Sequence, residues 1–500
     1  MSIFQKIISN SERHPNKVAV FCASDAVSYR NLLELAYYYS DLINKSCDSV
    51  LTDRSNYIGI LMENSVEFLG VFLGAIHSDY IPAIYNSDWS EQQLENICNI
   101  IKPHLILVQD SLLIKYEKKL KCKYIVVNAS TKKAALNSVN TLRQQSSLSQ
   151  ILFIGFTSGS TNLPKGFIRN ERSWLQSFEA SSKEFSIDSN SMIIAPGPLA
   201  HGFSLYAAME AIINGASVYI QKKFDLDELL LILQKQQNSH LFAIPTMLKK
   251  MLVNSKYTDA KLTGVTFIVT SAEKLQGDTV GKIQKIFTHA KIIEYYGASE
   301  LGFISVRDAN HGGKSVGRPF TKVEIKICHK HEDNCGEIWV KSPFIMDGYL
   351  TCDETEANYR KVDDWATVGD LGFIGNDNLL YLLGRKGDMI ITGGYNVYPS
   401  EIEDVLRKLP WIENGTAYVL GLEDDNWGTM ICAVLKLKAM EEPVSKEKLK
   451  CVCRRMLPSY KIPKRFFVFS NLPTTSSGKI SKKMMIKKIM EHDSDVYELR

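Results

Sequence analysis

Two kinds of apolar spacing alternate along the first part of the chain. Short β-branched runs at 17–21, 57–61 and 105–108 have the length and composition of strands. Between them, apolar residues recur every three or four positions over 29–42 and 66–76, the period of a helix buried along one side. Ser28 and Ser90 stand just before helical stretches, where a hydroxyl can accept from the first free backbone N–H groups. Strand, helix, strand repetition predicts a parallel sheet covered by helices. The pattern continues with strands expected at 192–194, 216–220, 240–243, 264–270 and 291–296. After Gly317-Arg318-Pro319 the runs 323–328, 336–341 and 379–383 are separated by turns with no long helix between them, which predicts an antiparallel β subdomain over about 318–384. Past Gly384 the pattern predicts a helix over 399–409, strands near 416–421 and 430–438, and a basic helix and tail. The fold class expected is therefore α/β: a large N-terminal domain (1–384) of parallel βαβ sheets plus the antiparallel β subdomain, then a small α+β C-terminal domain (385–500). No internal repeat or low-complexity segment interrupts this order.

Composition narrows the class. Five hundred residues, 45% hydrophobic and 23% charged, can bury a core that needs neither disulfides nor a structural metal. This excludes a disordered chain, a collagen-like repeat and a small disulfide scaffold. A net charge of +4 gives no call for nucleic acid or an acidic membrane as partner. The first fifteen residues hold no apolar run of signal-peptide length. The most apolar stretch, 68–76, falls short of the roughly 20 residues that span a bilayer, so no transmembrane segment is expected. The ten cysteines are scattered. Cys451 and Cys453 are close in sequence but lack a histidine or second pair, so reduced thiols of a cytoplasmic protein are expected. Lys and Arg accumulate from Lys436 onward, which reads as a solvated helix face in preference to an anion-binding one.

The most informative segment follows the apolar run 150–156: Phe156-Thr157-Ser158-Gly159-Ser160-Thr161-Asn162-Leu163-Pro164-Lys165-Gly166. A Gly/Ser/Thr-rich turn after a strand offers N–H groups and hydroxyls to phosphate oxygens, with a lysine to offset charge. A P-loop NTPase would need Gly at Pro164 and Ser or Thr at Gly166, so that reading fails. A serine hydrolase would need a Gly-x-Ser-x-Gly elbow, which the chain lacks.

The segment resembles the signature loop of the adenylate-forming superfamily, which comprises acyl-CoA synthetases, firefly luciferase and the adenylation domains of peptide synthetases. It departs at Asn162, where the family usually has Gly; Asn is the next-best residue for a left-handed backbone. Further segments resemble the family's in order: Tyr295-Tyr296-Gly297-Ala298-Ser299-Glu300, then Gly336-Glu337-Ile338 with Gly348-Tyr349, then Thr367-Val368-Gly369-Asp370. Gly384-Arg385 with Thr392-Gly393-Gly394-Tyr395 resembles the hinge, and Ser477-Gly478-Lys479-Ile480 the C-terminal lysine loop. The match spans about 150–485; the first 150 residues agree in length and pattern only.

The resemblance implies activation of a carboxylic acid by ATP to an acyl-adenylate with release of pyrophosphate, then transfer to the thiol of CoA. A carrier-protein phosphopantetheine is the alternative acceptor. The implied cofactors are ATP, Mg2+ and CoA. Thr157, Ser158, Gly159, Ser160, Thr161 and Lys165 are implied around the β- and γ-phosphates. Glu300 is the implied magnesium ligand, helped by Thr157, since a hard cation takes oxygen ligands. Tyr296, within Tyr296-Gly297-Ala298-Ser299-Glu300, is implied against adenine, Asp370 on the ribose hydroxyls, and Arg385 on ribose or phosphate. Lys479 is implied as the catalytic ammonium that meets charge developing between carboxylate and α-phosphate, with Lys165 a lesser contributor. The C-terminal domain is implied to be a mobile lid turning about 385–388. There the chain has Gly387 in place of the usual Asp or Lys, and farther on Lys482 where the family often has Arg.

Pro198-Leu199-Ala200-His201-Gly202-Phe203 occupies the segment implied to line the acid pocket, with His201 near the carboxylate. Peptide-synthetase domains place Asp where this chain has Gly202, and an unpaired buried ammonium is costly. Phe203, Leu205, Tyr206 and Met209 are either an apolar pocket wall or ordinary core. A fatty or aryl acid is the expected substrate, with the fatty acid ahead.

Overall fold

The structure, a computed structural model, describes all residues except 24, 48–55, 79, 138–150, 158–163, 272–274, 276, 312, 329–334, 351–357, 393–394, 425–427, 439–443, 475–479 and 500. The chain divides into two compact units. The first is Met1–Ile325 with Val340–Val368, and the second is Lys326–Trp339 with Gly369–Arg500.

Two sheets of βαβ construction dominate the first unit. Among the described residues one sheet has nine strands. It is parallel from Lys291–Ala298 through Val265–Thr270, Ser239–Phe242, Met192–Ala195 and Ser217–Ile220 to Val18–Cys22. Antiparallel strands flank both sides: Gly302–Asp308 then Arg318–Pro319, and Asp25–Ser28. The other sheet has seven described strands, in the order Gly348–Tyr349, Lys165–Asn170, Ile151–Thr157, Ile81–Tyr85, Tyr57–Leu61, Leu105–Gln109, Tyr124–Val127. Its first two strands are antiparallel to their neighbours and the rest pair in parallel. Both faces are covered, so strands such as Tyr57–Leu61 are buried at every position and read as continuous apolar runs.

The expected helices begin where hydroxyl caps predict. Ser28 accepts from Asn31 N at 3.2 Å at the head of Tyr29–Ser46. Ser90 makes a reciprocal capping box with Gln93 at the head of Glu91–Ile101. The α/β class with its antiparallel strands and small C-terminal α+β part is what the structure shows.

In the second unit, Ile412–Asp424, Gly428–Leu437, Arg465–Phe469 and Val496–Glu498 form a sheet with one face on each of two helical layers. The period of two in strands sorts the residues. Val419, Ala433 and Phe466 pack with Ile402, Leu406, Leu449 and Cys453 of the helices Pro399–Leu406 and Lys446–Met456. Their chain neighbours Leu420, Val434 and Phe467 pack with Met485 and Ile489 of the tail helix Lys482–Met490. The strand expected near 416–421 begins earlier, at Ile412, which pairs with Leu437; between Ile412 and Ala417 the ladder bulges where Asn414 and Gly415 adopt φ of 49° and 64°. The helix expected to reach 409 stops at Leu406, since a residue before proline (Pro410) is pushed out of helical conformation. The nine described cysteines are free thiols. No helix is long and apolar enough to cross a membrane among the described residues.

The 3-10 turn Lys386–Asp388 follows the hairpin of Asp370–Ile374 and Leu380–Arg385. Lys386 is tied by its N–H to Gly369 O at 2.8 Å and by its ammonium to the buried Glu337 at 3.2 Å. Gly387 itself has φ outside the left-handed region, and a Cβ there meets nothing within 4 Å. The native backbone thus does not demand glycine at this position. Gly387→Ala is expected to change the stability of the protein by less than about 0.5 kcal/mol in chemical denaturation; a loss above about 1 kcal/mol would contradict this local geometry.

Candidate active site

The Gly/Ser/Thr-rich segment is flanked by paired strands. Thr157, last residue of Ile151–Thr157, is the cross-strand partner of Lys165, first residue of Lys165–Asn170. Lys165 is buried at 8% exposure, while Thr157 keeps part of its surface accessible. Ser158, Gly159, Ser160 and Thr161 lie outside the described residues, as does Lys479.

Glu300 sits in the tight turn between Lys291–Ala298 and Gly302–Asp308. Two glycines permit that turn. A Cβ on Gly297 would lie 2.5 Å from Gly302 O, and Gly302 itself has φ +71° with its hypothetical Cβ 2.7 Å from Phe344. The hairpin is pinned farther down by a buried cross-strand pair, with Arg307 Nε donating to Glu294 Oε2 at 2.6 Å. Along Lys291–Ala298 the side chains alternate. Tyr295 points into an aromatic layer, with its ring 4.6 Å from that of Phe303, and Tyr296 points to the other face. Tyr296, Gly297, Ala298, Ser299 and Glu300 are all part-exposed.

The short strand Gly348–Tyr349 joins these two places. It pairs antiparallel with Ile168 and Phe167, two residues beyond the Lys165 rung. From that position the Tyr349 phenol donates a hydrogen bond to Glu300 Oε1. The backbone closes the same gap twice more: Met346 N donates to Glu300 O at 2.8 Å and Leu350 N to Gly166 O at 2.7 Å. Thr157, Lys165 and Glu300, three residues singled out from separate motifs, are therefore brought to one corner of the first unit. Behind them lies Arg169, 5% exposed, with its guanidinium donating to the carbonyls of Ser299 and Phe344. Burial lowers its pKa to about 10, against the pull of Glu300 and Asp347, so it stays a cation at neutral pH.

Oxygen donors suit magnesium. One carboxylate and one threonine hydroxyl supply few of the six positions such an ion prefers, a fit for an ion that arrives carrying phosphate oxygens and water.

Asp370 and Arg385 belong to the second unit. They are directly opposed in the hairpin, and Arg385 Nε lies 3.3 Å from Asp370 Oδ1. Asp370 is buried and the arginine largely exposed. Lys482, first residue of the helix Lys482–Met490, reaches Glu403 Oε1 on the helix Pro399–Leu406 and Val419 O on the strand Ile412–Asp424, each at 3.2 Å.

His201 stands at the N-cap of Gly202–Ile213. Its segment is held from below by the buried Asn64, which donates to Gly197 O at 2.8 Å and Gln221 O at 2.7 Å and accepts from Leu199 N at 2.7 Å. The helix resolves the two readings of its apolar residues. Leu205 and Met209 are fully buried core, whereas Phe203 and Tyr206 remain part-exposed. These last two rings lie 6.2 Å from Tyr295 and 5.2 Å from Phe303, respectively.

Behind Tyr206 lies an acid. Glu210, fully buried on the same helix, accepts from Ser181 and from Ser182 Oγ at 3.3 Å, while Ser181 Oγ is 2.7 Å from the Tyr206 hydroxyl. Its Oε2 has no partner among the described residues. Burial pushes Glu210 up to about 8, so at neutral pH it is mostly the uncharged acid.

Sequence reasoning missed Arg169, Asn64 and Glu210. Glu210 carried a signal: it is the one charged residue in the otherwise apolar helix Gly202–Ile213. Asn64 carried none, because a single polar residue in a loop does not reveal three backbone partners.

Comparison with known proteins adds family evidence. The family profile described as AMP-binding enzyme matches residues 8–350, and that described as AMP-binding enzyme C-terminal domain matches residues 401–479. The chain is 30% identical to the uncharacterized acyl–CoA ligase YhfT of Bacillus subtilis (strain 168), over 98% of this chain and 99% of that protein. It is 29% identical to the putative long chain fatty acid–CoA ligase VraA of Staphylococcus haemolyticus (strain JCSC1435), over 96% and 97%. In fold it is similar to ATP-bound MatB from Rhodopseudomonas palustris, with a TM-score of 0.86 over 98% of this chain and 100% of that one, at 20% identity.

The acid among the aromatic rings makes stability depend on pH. Glu210 binds its proton more tightly folded (about 8) than at its ordinary value of 4.5, so its contribution falls as pH rises between those values, by about 1.4 kcal/mol per unit. Glu210→Gln, which cannot ionise, is expected to gain in melting temperature relative to wild type on going from about pH 5 to about pH 8. A difference that stays constant over this range would show that the carboxyl is not held neutral.

Proposed function

This chain belongs to the AMP-binding enzyme family, the adenylate-forming superfamily, and from that premise we propose that it joins a fatty acid to the thiol of CoA in two steps. In the first step a carboxylate oxygen attacks the α-phosphorus of ATP, the bond to the β-phosphate oxygen breaks, and acyl-adenylate and pyrophosphate form. In the second the thiol of CoA gives up its proton and attacks the acyl carbon, AMP leaves, and acyl-CoA forms. The first step replaces an oxide leaving group by AMP, which is what makes the acid reactive.

One observation carries the reading: the Tyr349 phenol, on a strand paired beside the Thr157–Lys165 rung, holds the Glu300 carboxylate there. A phosphate loop and a hard-cation ligand at one corner are what adenylation requires. Magnesium, when bound with ATP, neutralises phosphate charge. The chain's own residues do the rest. Lys165 and the hydroxyl-rich turn 157–161 bind the β- and γ-phosphates, Glu300 and Thr157 hold the ion, and Tyr296 packs on adenine. Asp370 accepts from the ribose hydroxyls with Arg385 beside it, and Lys479 meets the charge that grows between the acid and the α-phosphate.

Three features support a fatty acid. Phe203 and Tyr206 present aromatic surface beside Tyr295 and Phe303. Gly202 offers no charge to an α-ammonium, and the uncharged Glu210 leaves the layer without a fixed anion at neutral pH. The relative named VraA is called a putative long chain fatty acid–CoA ligase. His201, at the N-cap of Gly202–Ile213, is assigned to the carboxylate end in this reading.

The test is pyrophosphate release by the purified enzyme with Mg2+ and ATP across fatty, aryl and amino acids, with and without CoA. Release driven by fatty acids, and acyl-CoA formed only with CoA, are expected; no release with any acid refutes the reading, and release only with aryl acids refutes the substrate class. Lys479→Ala is expected to slow adenylate formation at least a hundredfold while sparing thioester formation from preformed acyl-adenylate. Equal loss in both half-reactions would remove Lys479 from the first step.

A further inference from the structure

Arg169 is an expensive residue to place where it is. A guanidinium removed from water needs partners that replace its hydration, and this one, 5% exposed, finds backbone carbonyls from two remote segments. One is Ser299, next to Glu300 in the hairpin turn; the other is Phe344, at the start of the stretch that leads to Tyr349. The strand that carries Arg169 is the one that leaves the phosphate loop. A single planar fork therefore gathers three pieces of chain, each carrying a residue of the nucleotide corner: Lys165 on its own strand, Glu300 one residue past the first carbonyl, Tyr349 five past the second.

The neighbouring bonds show how tightly the segment 344–350 is led past this cation. Asp347 N donates to Ile168 O at 3.1 Å, and Asn170 Nδ2 donates to Asp347 Oδ1 at 2.6 Å. Asp347 and Glu300 are the acids whose fields act on Arg169. An apolar residue in the same position would spare the desolvation cost and leave the strand pairing intact. What it could not do is hold the two carbonyls together, since repelling oxygens converge only on a donor placed between them.

We propose that Arg169 is a positioning residue for the first half-reaction: by clamping the carbonyls of Ser299 and Phe344 it fixes the Glu300 carboxylate and the Tyr349 phenol relative to the phosphate loop, and so sets the affinity of the enzyme for magnesium-bound ATP. This rests on the reading of Glu300 as the ligand of the nucleotide's magnesium. Arg169 touches no substrate in this scheme. It acts through the two segments it joins, as outer-shell partners of metal ligands do.

The experiment measures binding as well as turnover. Full-length wild type, Arg169→Gln, Arg169→Lys, Tyr349→Phe and Glu300→Gln are titrated calorimetrically with ATP in the presence of Mg2+ and again with chelator, and thioester formation is followed from synthetic acyl-adenylate. Arg169→Gln is expected to weaken binding of the magnesium–ATP complex by about tenfold or more while metal-free ATP binding changes less than twofold. The second half-reaction should also stay within about twofold. Arg169→Lys keeps the charge but not the fork and is expected to lose an intermediate amount. Tyr349→Phe, which removes one hydroxyl from a part-exposed ring, should shift the same quantity in the same direction even if the glutamine variant fails to fold. The proposal is overturned if Arg169→Gln loses melting temperature but binds magnesium–ATP like wild type, or if ATP affinity falls equally with and without metal. If Glu300→Gln itself leaves magnesium–ATP affinity unchanged, the underlying reading of Glu300 fails and this inference with it. If Glu300→Gln weakens binding but the Arg169 variants do not, the positioning role alone is refuted.

Discussion

Two residues of strand, Gly348 and Tyr349, bear a disproportionate share of the organisation of this enzyme. Their pairing with Ile168 and Phe167 extends one sheet by a single short rung. That rung is the reason a phenol from a later part of the sequence can reach a carboxylate in the turn of the other sheet. A strand's side chains alternate, so a shift by one residue would turn Tyr349 away and replace it with Gly348 or Leu350. The two backbone bonds on either side, from Met346 to Glu300 and from Leu350 to Gly166, hold the register against that slip. The corner that holds Thr157, Lys165 and Glu300 is thus defined less by any one side chain than by how the end of one sheet is stitched to a turn of another.

The aromatic layer beside it shows the complementary principle. Phe303 lies stacked 4.4 Å from Phe320 and meets Tyr295 and Tyr206 edge-on. Such rings bury large areas with few degrees of freedom, so they keep a shaped surface. A carboxyl in such surroundings survives only by staying protonated and accepting from serine hydroxyls, which is what Glu210 does. The polar strand of this network, from Tyr206 through Ser181 to Glu210, ties the two helices Glu171–Glu184 and Gly202–Ile213 at a point where apolar contacts alone would let them slide.

Much of this was legible from residue order because it is local. Strand and helix period, the hydroxyl caps at Ser28 and Ser90, and the Gly/Ser/Thr turn after an apolar run are all statements about neighbours a few positions apart. The motif residues Thr157, Lys165 and Glu300 could be picked out for the same reason, although their spacing did not place them at one corner and only the family resemblance implied that they meet. Arg169 could not be picked out, since an arginine within Lys165–Asn170 reads as a solvent-facing position, and its burial depends on segment 344–350, far along the chain, lying over it. The helix Gly202–Ile213 was readable as apolar, but which of its residues stay part-exposed and which join the core depends on the neighbouring strands. Gly387 is the reverse case. Glycine has the widest backbone freedom of any residue, and the turn it occupies uses none of it in this conformation.

The path of the chain between the two units has a consequence for inheritance by recombination. The second unit takes its residues from two places, Lys326–Trp339 and Gly369–Arg500, and the strand Gly336–Lys341 begins in one unit and ends in the other. Within the second unit Gly336 and Glu337 pair with Gly372 and Leu371, and Glu337 holds Lys386. A single crossover just before Gly369 would therefore deliver a graft without the strand its first hairpin leans on. Homologues that exchanged their C-terminal halves by one cut would have to be matched in 326–339 as well, so this short stretch and the distant tail are bound to evolve as a linked pair.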